Sequence, residues 1–150
     1  MKATISNCSN NFGPNQHPEK LIPKTVFNVL SGKNVPIYGK GRHAGDWIYV
    51  EDHVRALEAI LEKGEYGETY LVSSENEIRN IDLVKNVLKI LNKGEELIKF
   101  TNDRPGHDVR YSLDPSKLKS ELKWKPIYDF SERLKFTVSL YQKFFIVNKY

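Results

Sequence analysis

The stretch Gly39-Lys40-Gly41-Arg42-His43-Ala44-Gly45-Asp46-Trp47-Ile48-Tyr49-Val50 is where the fold is decided. Its first six letters satisfy the dinucleotide-binding pattern G-x-G-x-x-G/A. That pattern functions only when a helix follows at once, because the helix N-terminus carries the pyrophosphate. Here Gly45 to Val50 follow instead, and this run reads as a strand. No acidic residue sits at a strand end about 20 residues further on in a βαβ unit. The segment is a glycine turn feeding a strand, and no cofactor loop is expected in it.

Outward from that turn, strands and helices alternate. Upstream, Thr4 to Ser9 reads as a strand, ended by the turn-rich Asn10-Asn11-Phe12-Gly13-Pro14-Asn15. Ile22, Val26, Val29 and Leu30 then recur at helical spacing, with Gly32 as the stop. Val35 to Tyr38 is a short strand. Downstream, Asp52 is placed to cap a helix carrying Val54, Leu57, Ile60 and Leu61 that ends near Gly64. Thr69 to Ser73 is extended. Asn80 is the expected N-cap of a helix with Val84, Val87, Leu88 and Leu91 on one face. Leu97 to Thr101 and Val109 to Leu113 are extended. Asp114-Pro115 opens a helix through Leu122. Asp129-Phe130-Ser131-Glu132 matches a capping box for a last helix with Leu134, Val138, Tyr141 and Phe145 inward. This alternation gives the α/β class.

The chain has 150 residues, 39% hydrophobic and 28% charged, with a net charge of +4. Those values suit one globular domain, residues 1–150. No apolar run reaches the ~20 residues of a membrane span, and the N-terminus carries no signal-like stretch. The single Cys8 excludes an intramolecular disulfide and fits a reducing cytoplasm. Acidic residues are interspersed among the basic ones without a Lys/Arg cluster. A surface favouring small anionic ligands is therefore more economical than nucleic-acid binding, which is not expected. His17, His43, His53 and His107 show no metal spacing with Cys or acids, and no HxH, HExxH or paired Cys occurs. No metal centre is expected from the sequence.

The stretch that names a ligand class is Asn102-Asp103-Arg104-Pro105-Gly106-His107-Asp108. Pro105 fixes φ and Gly106 can turn left-handed, so Arg104 and His107 are brought to one spot. A guanidinium fork beside an imidazole suits a phosphate or diphosphate. The alternative is a surface loop with Arg104 paired to Asp103 or Asp108. Asn10-Asn11, at a strand end, can donate amides to a phosphate or carboxamide, or can simply supply a turn. Lys20, at a helix start, could meet a phosphate, and the backbone near it a base edge. Pro36-Ile37-Tyr38 offers an aromatic for stacking on a base, or packs into the core.

Together, Cys8-Ser9-Asn10-Asn11-Phe12-Gly13-Pro14, Pro18-Glu19-Lys20-Leu21-Ile22-Pro23, Pro36-Ile37-Tyr38-Gly39-Lys40-Gly41, Asp46-Trp47-Ile48-Tyr49-Val50-Glu51-Asp52-His53, Gly67-Glu68-Thr69-Tyr70 and Asp103-Arg104-Pro105-Gly106-His107-Asp108 resemble one family. It is the sugar-nucleotide dehydratases of the extended short-chain dehydrogenase family, the dTDP-glucose 4,6-dehydratases above all. The resemblance covers only the C-terminal, substrate-binding half of such enzymes. The implied fold is that half without the Rossmann NAD domain. The family's Gly-rich NAD loop, Tyr-x-x-x-Lys pair and Asp-Glu pair have no counterpart in the sequence, and no Tyr here has a Lys four residues later.

The resemblance implies that Asn10 contacts the sugar-nucleotide phosphate, and that Asn11 lies against NAD if an NAD domain is supplied. Lys20 and Leu21 border the nucleotide, Pro36, Ile37 and Tyr38 line the base pocket, and Asn80 touches the nucleotide portion. Arg104 and His107 hold the diphosphate and ribose, with Asp103, Pro105 and Gly106 shaping their loop. The family usually carries Arg immediately before the Asp-Trp pair; this chain has Gly45. Arg42 and His43 are the nearby groups that could compensate. The implied partner is a dTDP-sugar, with no cofactor on the chain itself and no catalytic residue. A non-enzymatic sensing or interaction module, or one half of a split dehydratase, stands as the alternative. Ile5, Phe12, Phe27 and Trp47 are then the expected exposed apolar groups, covered by a Rossmann-domain chain or by self-association.

Overall fold

The computed structural model of the protein describes residues 2–103 and 105–148. In chain order the elements are β1 (Ile5–Cys8), β2 (Asn10–Phe12), α1 (Leu21–Leu30), β3 (Val35–Tyr38), β4 (Ala44–Tyr49), α2 (Val50–Lys63), β5 (Thr69–Val72), β6 (Glu77–Arg79), α3 (Asn80–Ile90), β7 (Ile98–Thr101), β8 (Arg110–Tyr111), α4 (Ser116–Leu122) and α5 (Phe130–Asn148). A single 3-10 turn, Glu95–Leu97, precedes β7. β1 pairs with β5, β2 with β4, and β3 with β7, each in parallel. β4 also takes β6 antiparallel and β8 parallel. Parallel pairs require long crossovers, and here helices supply them, so the α/β class holds.

Helices α1, α3 and α5 bury the faces that apolar spacing placed inward, whereas in α2 only Ile60 of Val54, Leu57, Ile60 and Leu61 is buried. Ile22, Val26 and Val29 of α1, Leu83, Val84, Val87 and Leu88 of α3, and Leu134, Val138 and Tyr141 of α5 join one buried cluster with Val35, Ile37 and Phe12. A second cluster of Ile48, Ala56, Ile60, Tyr70, Val72, Leu118, Leu122 and Trp124 lies between α2, α4 and β5. Each such side chain contributes roughly 1.5–3 kcal/mol by leaving water. Tyr141 does more than pack. Its hydroxyl donates to the Gly13 carbonyl at 2.7 Å and accepts from the Gln16 amide at 2.9 Å, tying α5 to the loop after β2.

Several local expectations are corrected. The Asn10-Asn11-Phe12 segment is β2 rather than a turn, because it gains a parallel partner in β4. Asp52 does not cap α2. The helix begins at Val50 with Tyr49 as the preceding residue. Asn80 is likewise the first residue of α3, behind Arg79, and no side chain caps that helix. The extended stretch after Val109 shrinks to Arg110–Tyr111, and β6 has too few apolar residues to announce itself. The expected exposed apolar set is also wrong for two members. Phe12 and Trp47 are 1% and 6% exposed, because β2 and β4 face α5 and α3 across the core. Phe27 is half-buried against Tyr141 and Phe145. Only Ile5, 56% exposed, fits.

The glycine turn after β3 is as expected, with Gly39 at φ +57° and Gly41 at φ +68°. A Cβ on Gly41 would stand 2.8 Å from Ile81 Cβ and 3.0 Å from Ile37 Cγ2, whereas one on Gly32, also at φ +68°, meets nothing within 4 Å. Gly32→Ala is expected to cost only the left-handed strain, roughly 1–2 kcal/mol. Gly41→Ala adds overpacking, for a total of about 2–5 kcal/mol. Thermal melts of the two variants check this, and equal losses would refute the crowding at Gly41.

Candidate functional site

The 39–45 segment is a hub on which part of the expected site converges. The Gly39 amide donates to the Thr101 carbonyl at 2.9 Å, so the ends of β3 and β7 stay together and their following loops leave side by side. The Ile81 amide donates to the Gly41 carbonyl at 3.1 Å, and the Asn80 amide to the His43 carbonyl at 2.8 Å. These are two of the amides that every helix start leaves without an internal partner. In α3 the turn satisfies them, so they are not free to meet an anion, and Asn80 could contribute only its side chain.

His43 Nε2 lies 2.9 Å from Asp103 Oδ2, and His107 Nδ1 lies 2.7 Å from Asp103 Oδ1. The two imidazoles stack with centroids 3.8 Å apart and planes at 19°. The exposed Tyr38 ring stands edge-on to His107, 5.9 Å away. Pro105 and Gly106 form the expected turn, with Gly106 at φ +69°. Arg104 lies outside the described residues. Three ligand atoms, one each from His43, Asp103 and His107, fall within 4.8 Å of one another. Spacing along the chain concealed this group, because His43 reaches it only through the β3–β7 pairing.

Asn10 stands opposite Trp47 across β2 and β4. Its amide nitrogen fills the volume that a side chain at position 45 would take: a Cβ there would collide with Asn10 Nδ2 and lie 3.5 Å from Trp47 Nε1. Trp47 Nε1 is buried and has no hydrogen-bond partner among the described residues. Position 45 is thus the joint between Asn10 and the His43 turn. Asn11 is held differently. Its Nδ2 donates to Cys8 Sγ and to the Ser9 carbonyl, both at 3.2 Å, and its Oδ1 lies 2.9 Å from His53 Nδ1 on α2. Burial pushes His53 below its ordinary value, which keeps the ring neutral, with Nδ1–H toward Asn11. The His53 contact spans 42 residues of chain, and nothing local signals it.

Not every expected residue joins the hub. Lys20 immediately precedes α1 and is exposed, and Leu21 packs with α1 against the core. No side-chain hydrogen bond or ion pair links either to His43 or His107 among the described residues. Of the expected base-pocket residues, Ile37 is 3% exposed and belongs to the core, so its side chain cannot line an open pocket. Pro36 is half-buried and Tyr38 alone presents its ring.

A model of the GDP-mannose 4,6 dehydratase family matches residues 1–137. The chain belongs to that family. Within it, the chain is 45% identical over 152 residues to the dTDP-glucose 4,6-dehydratase of Escherichia coli, covering 94% of this chain and 42% of that protein. The Mycobacterium tuberculosis enzyme of the same name is 46% identical over 143 residues, covering 95% and 43%. Among solved structures, the Streptomyces venezuelae dTDP-glucose 4,6-dehydratase with NAD bound superposes at a TM-score of 0.94 and 38% identity, covering 95% of this chain and 44% of that one. The UDP-glucose 4-epimerase of Thermotoga maritima with UDP-glucose reaches 0.89 at 29% identity, covering 96% and 47%. This family member spans less than half the length of each of these relatives. The α/β fold is that of extended short-chain dehydrogenase epimerases and dehydratases.

Proposed function

We propose that this chain binds a sugar nucleotide of the dTDP-glucose kind by its diphosphate and base, and does not turn it over by itself. The observation that carries the proposal is the convergence of Tyr38, Asp103 and His107 on the 39–45 turn, with Asn10 at its far end. An exposed aromatic ring, an imidazole and a neutral amide donor stand around the 39–45 turn. Tyr38 stacks on the base, His107 and Arg104 hold the diphosphate, and Asn10 reaches a phosphate oxygen. The named relatives include enzymes of dTDP-glucose and of UDP-glucose, which favours this ligand class. Hydride transfer needs a nicotinamide, and the hub residues supply no hydride acceptor of their own. A cytoplasmic setting accompanies this proposal, from the single unpaired Cys8.

Calorimetric titration with dTDP and dTDP-glucose tests it, with NAD as control. Both nucleotides are expected to bind and NAD alone is not. His107→Ala is expected to lower dTDP affinity roughly tenfold or more, the worth of a charge-assisted phosphate contact. No response to either nucleotide would refute the proposal.

A second reading, an interaction module or half of a split enzyme, is favoured by one face. Among the described residues β1 pairs only with β5, its first residue Ile5 is exposed, and Val54, Leu57 and Leu61 form an exposed stripe along α2. Light scattering at rising concentration checks it. Growth of a dimer is the expected result under that reading, and a monomer throughout removes the self-association version.

A further inference from the structure

We propose that His43, Asp103 and His107 form a binding site for a first-row transition dication of the Zn2+ or Co2+ kind. Two imidazoles and one carboxylate are the donor set that suits such ions. Their contributors are anchored from independent directions. His43 hangs from a turn whose carbonyls receive the first amides of α3, and Asp103 and His107 flank the Pro105-Gly106 turn after β7. Ligands held about 2.0–2.2 Å from a metal stand on the order of 3 Å from one another. His43 Nε2 lies 2.9 Å from one Asp103 oxygen and His107 Nδ1 lies 2.7 Å from the other, and a set of one ligand atom per residue falls within 4.8 Å. Both histidine side chains are shielded, at 13% and 12% exposure, while Asp103 at 38% opens the site to solvent.

The chemistry also sets an upper limit. Each ring nitrogen that faces Asp103 donates its proton to the carboxylate when the ring is neutral, so the ion must displace it to the other nitrogen. For His43 that nitrogen is Nδ1, which is buried without a partner among the described residues. A metal-bound imidazole normally donates that proton to an outer acceptor, and its absence weakens affinity about 10- to 100-fold. Micromolar rather than structural-zinc affinity is expected. The stacked rings must also rotate from near-parallel to converge on one ion.

Three protein ligands leave coordination positions open. Tyr38 stands edge-on beside His107, so a diphosphate oxygen of a nucleotide stacked on it could complete the sphere. This last step rests on the sugar-nucleotide reading. It gives the chain a second way to neutralise phosphate charge where Gly45 replaces the family's Arg.

The untagged, metal-stripped protein is titrated with Co2+ and followed by visible absorption, then with Zn2+ in competition. Saturable binding at one equivalent is expected, with d–d bands that Zn2+ abolishes. His43→Gln and Asp103→Asn are each expected to weaken Co2+ at least tenfold while circular dichroism stays unchanged. His17→Gln, which changes an exposed histidine outside the cluster, is expected to have no effect. Absence of Co2+ binding, or equal binding by His43→Gln and the parent, overturns the site. Titration of dTDP with Zn2+ and with EDTA then separates the two ideas. Tighter dTDP binding with Zn2+ supports the bridge. Equal affinity overturns the bridge alone, and metal binding without any dTDP binding overturns the sugar-nucleotide reading while the metal site stands.

Discussion

Gly45→Arg is expected to raise affinity for dTDP about 10- to 100-fold. The family places Arg immediately before the Asp-Trp pair, and a guanidinium on a phosphate contributes roughly 1.5–3 kcal/mol over a neutral contact. Gly45 is not held at a positive φ, so the backbone accepts a side chain. The obstacle is Asn10, whose amide occupies the Cβ position and must turn aside. Gly45→Ala separates the two effects, because it moves Asn10 without adding charge. It is expected to weaken dTDP binding by up to about tenfold, because it turns aside the amide proposed to reach a phosphate oxygen. Calorimetry on the pair decides: if Arg and Ala bind alike, position 45 does not face the diphosphate.

The largest loss of stability outside the apolar core is expected from Asp52→Ala, at about 3–5 kcal/mol. Asp52 is 1% exposed. Its Oδ1 accepts from Arg55 at 2.8 Å and from the Ile127 amide at 3.0 Å, and its Oδ2 accepts from the Tyr128 amide at 3.2 Å. Truncation strands two backbone donors and releases the segment that leads into α5. An N-cap of the kind the sequence suggested would cost only about 1 kcal/mol when lost. Urea denaturation therefore distinguishes cap from latch. Asp52→Asn, which keeps one acceptor oxygen, is expected to lose less than Asp52→Ala, and a loss near 1 kcal/mol for both would refute the latch.

The same carboxylate shows where sequence reasoning stops. Asp52 sits in the first turn of α2, where acidic residues favour the helix dipole, and that local signal was visible. Its principal partners are 75 and 76 residues away, which no periodicity reveals. Asp46 is similar. It is fully buried and accepts from Ser73 Oγ at 2.6 Å, in a strand whose pattern gave no hint of a buried carboxylate. In the site, the Pro105-Gly106 turn and the Gly39-Gly41 turn were legible, because proline and glycine act on their own backbone. The stacking of His43 on His107 was not, because it needs both turns to be delivered to one place.

The sequence by itself determined the α/β class, the helices α1, α3 and α5, the glycine turn that fails as a nucleotide loop, the cap by which Asp129 Oδ1 accepts from the Glu132 amide at 2.9 Å, and, through the order of its motifs, the family. These rest on spacing and on conformational preference within a few residues. Tertiary structure alone decided that Phe12 and Trp47 go inside while Ile5 stays out, that Ile37 packs and Tyr38 is presented, and that Asp103 serves two histidines. The physical reason is strand pairing. β2 on β4 buries the first pair, and β3 on β7 sets the end of one loop beside the start of another, so the site exists only once distant segments share a sheet.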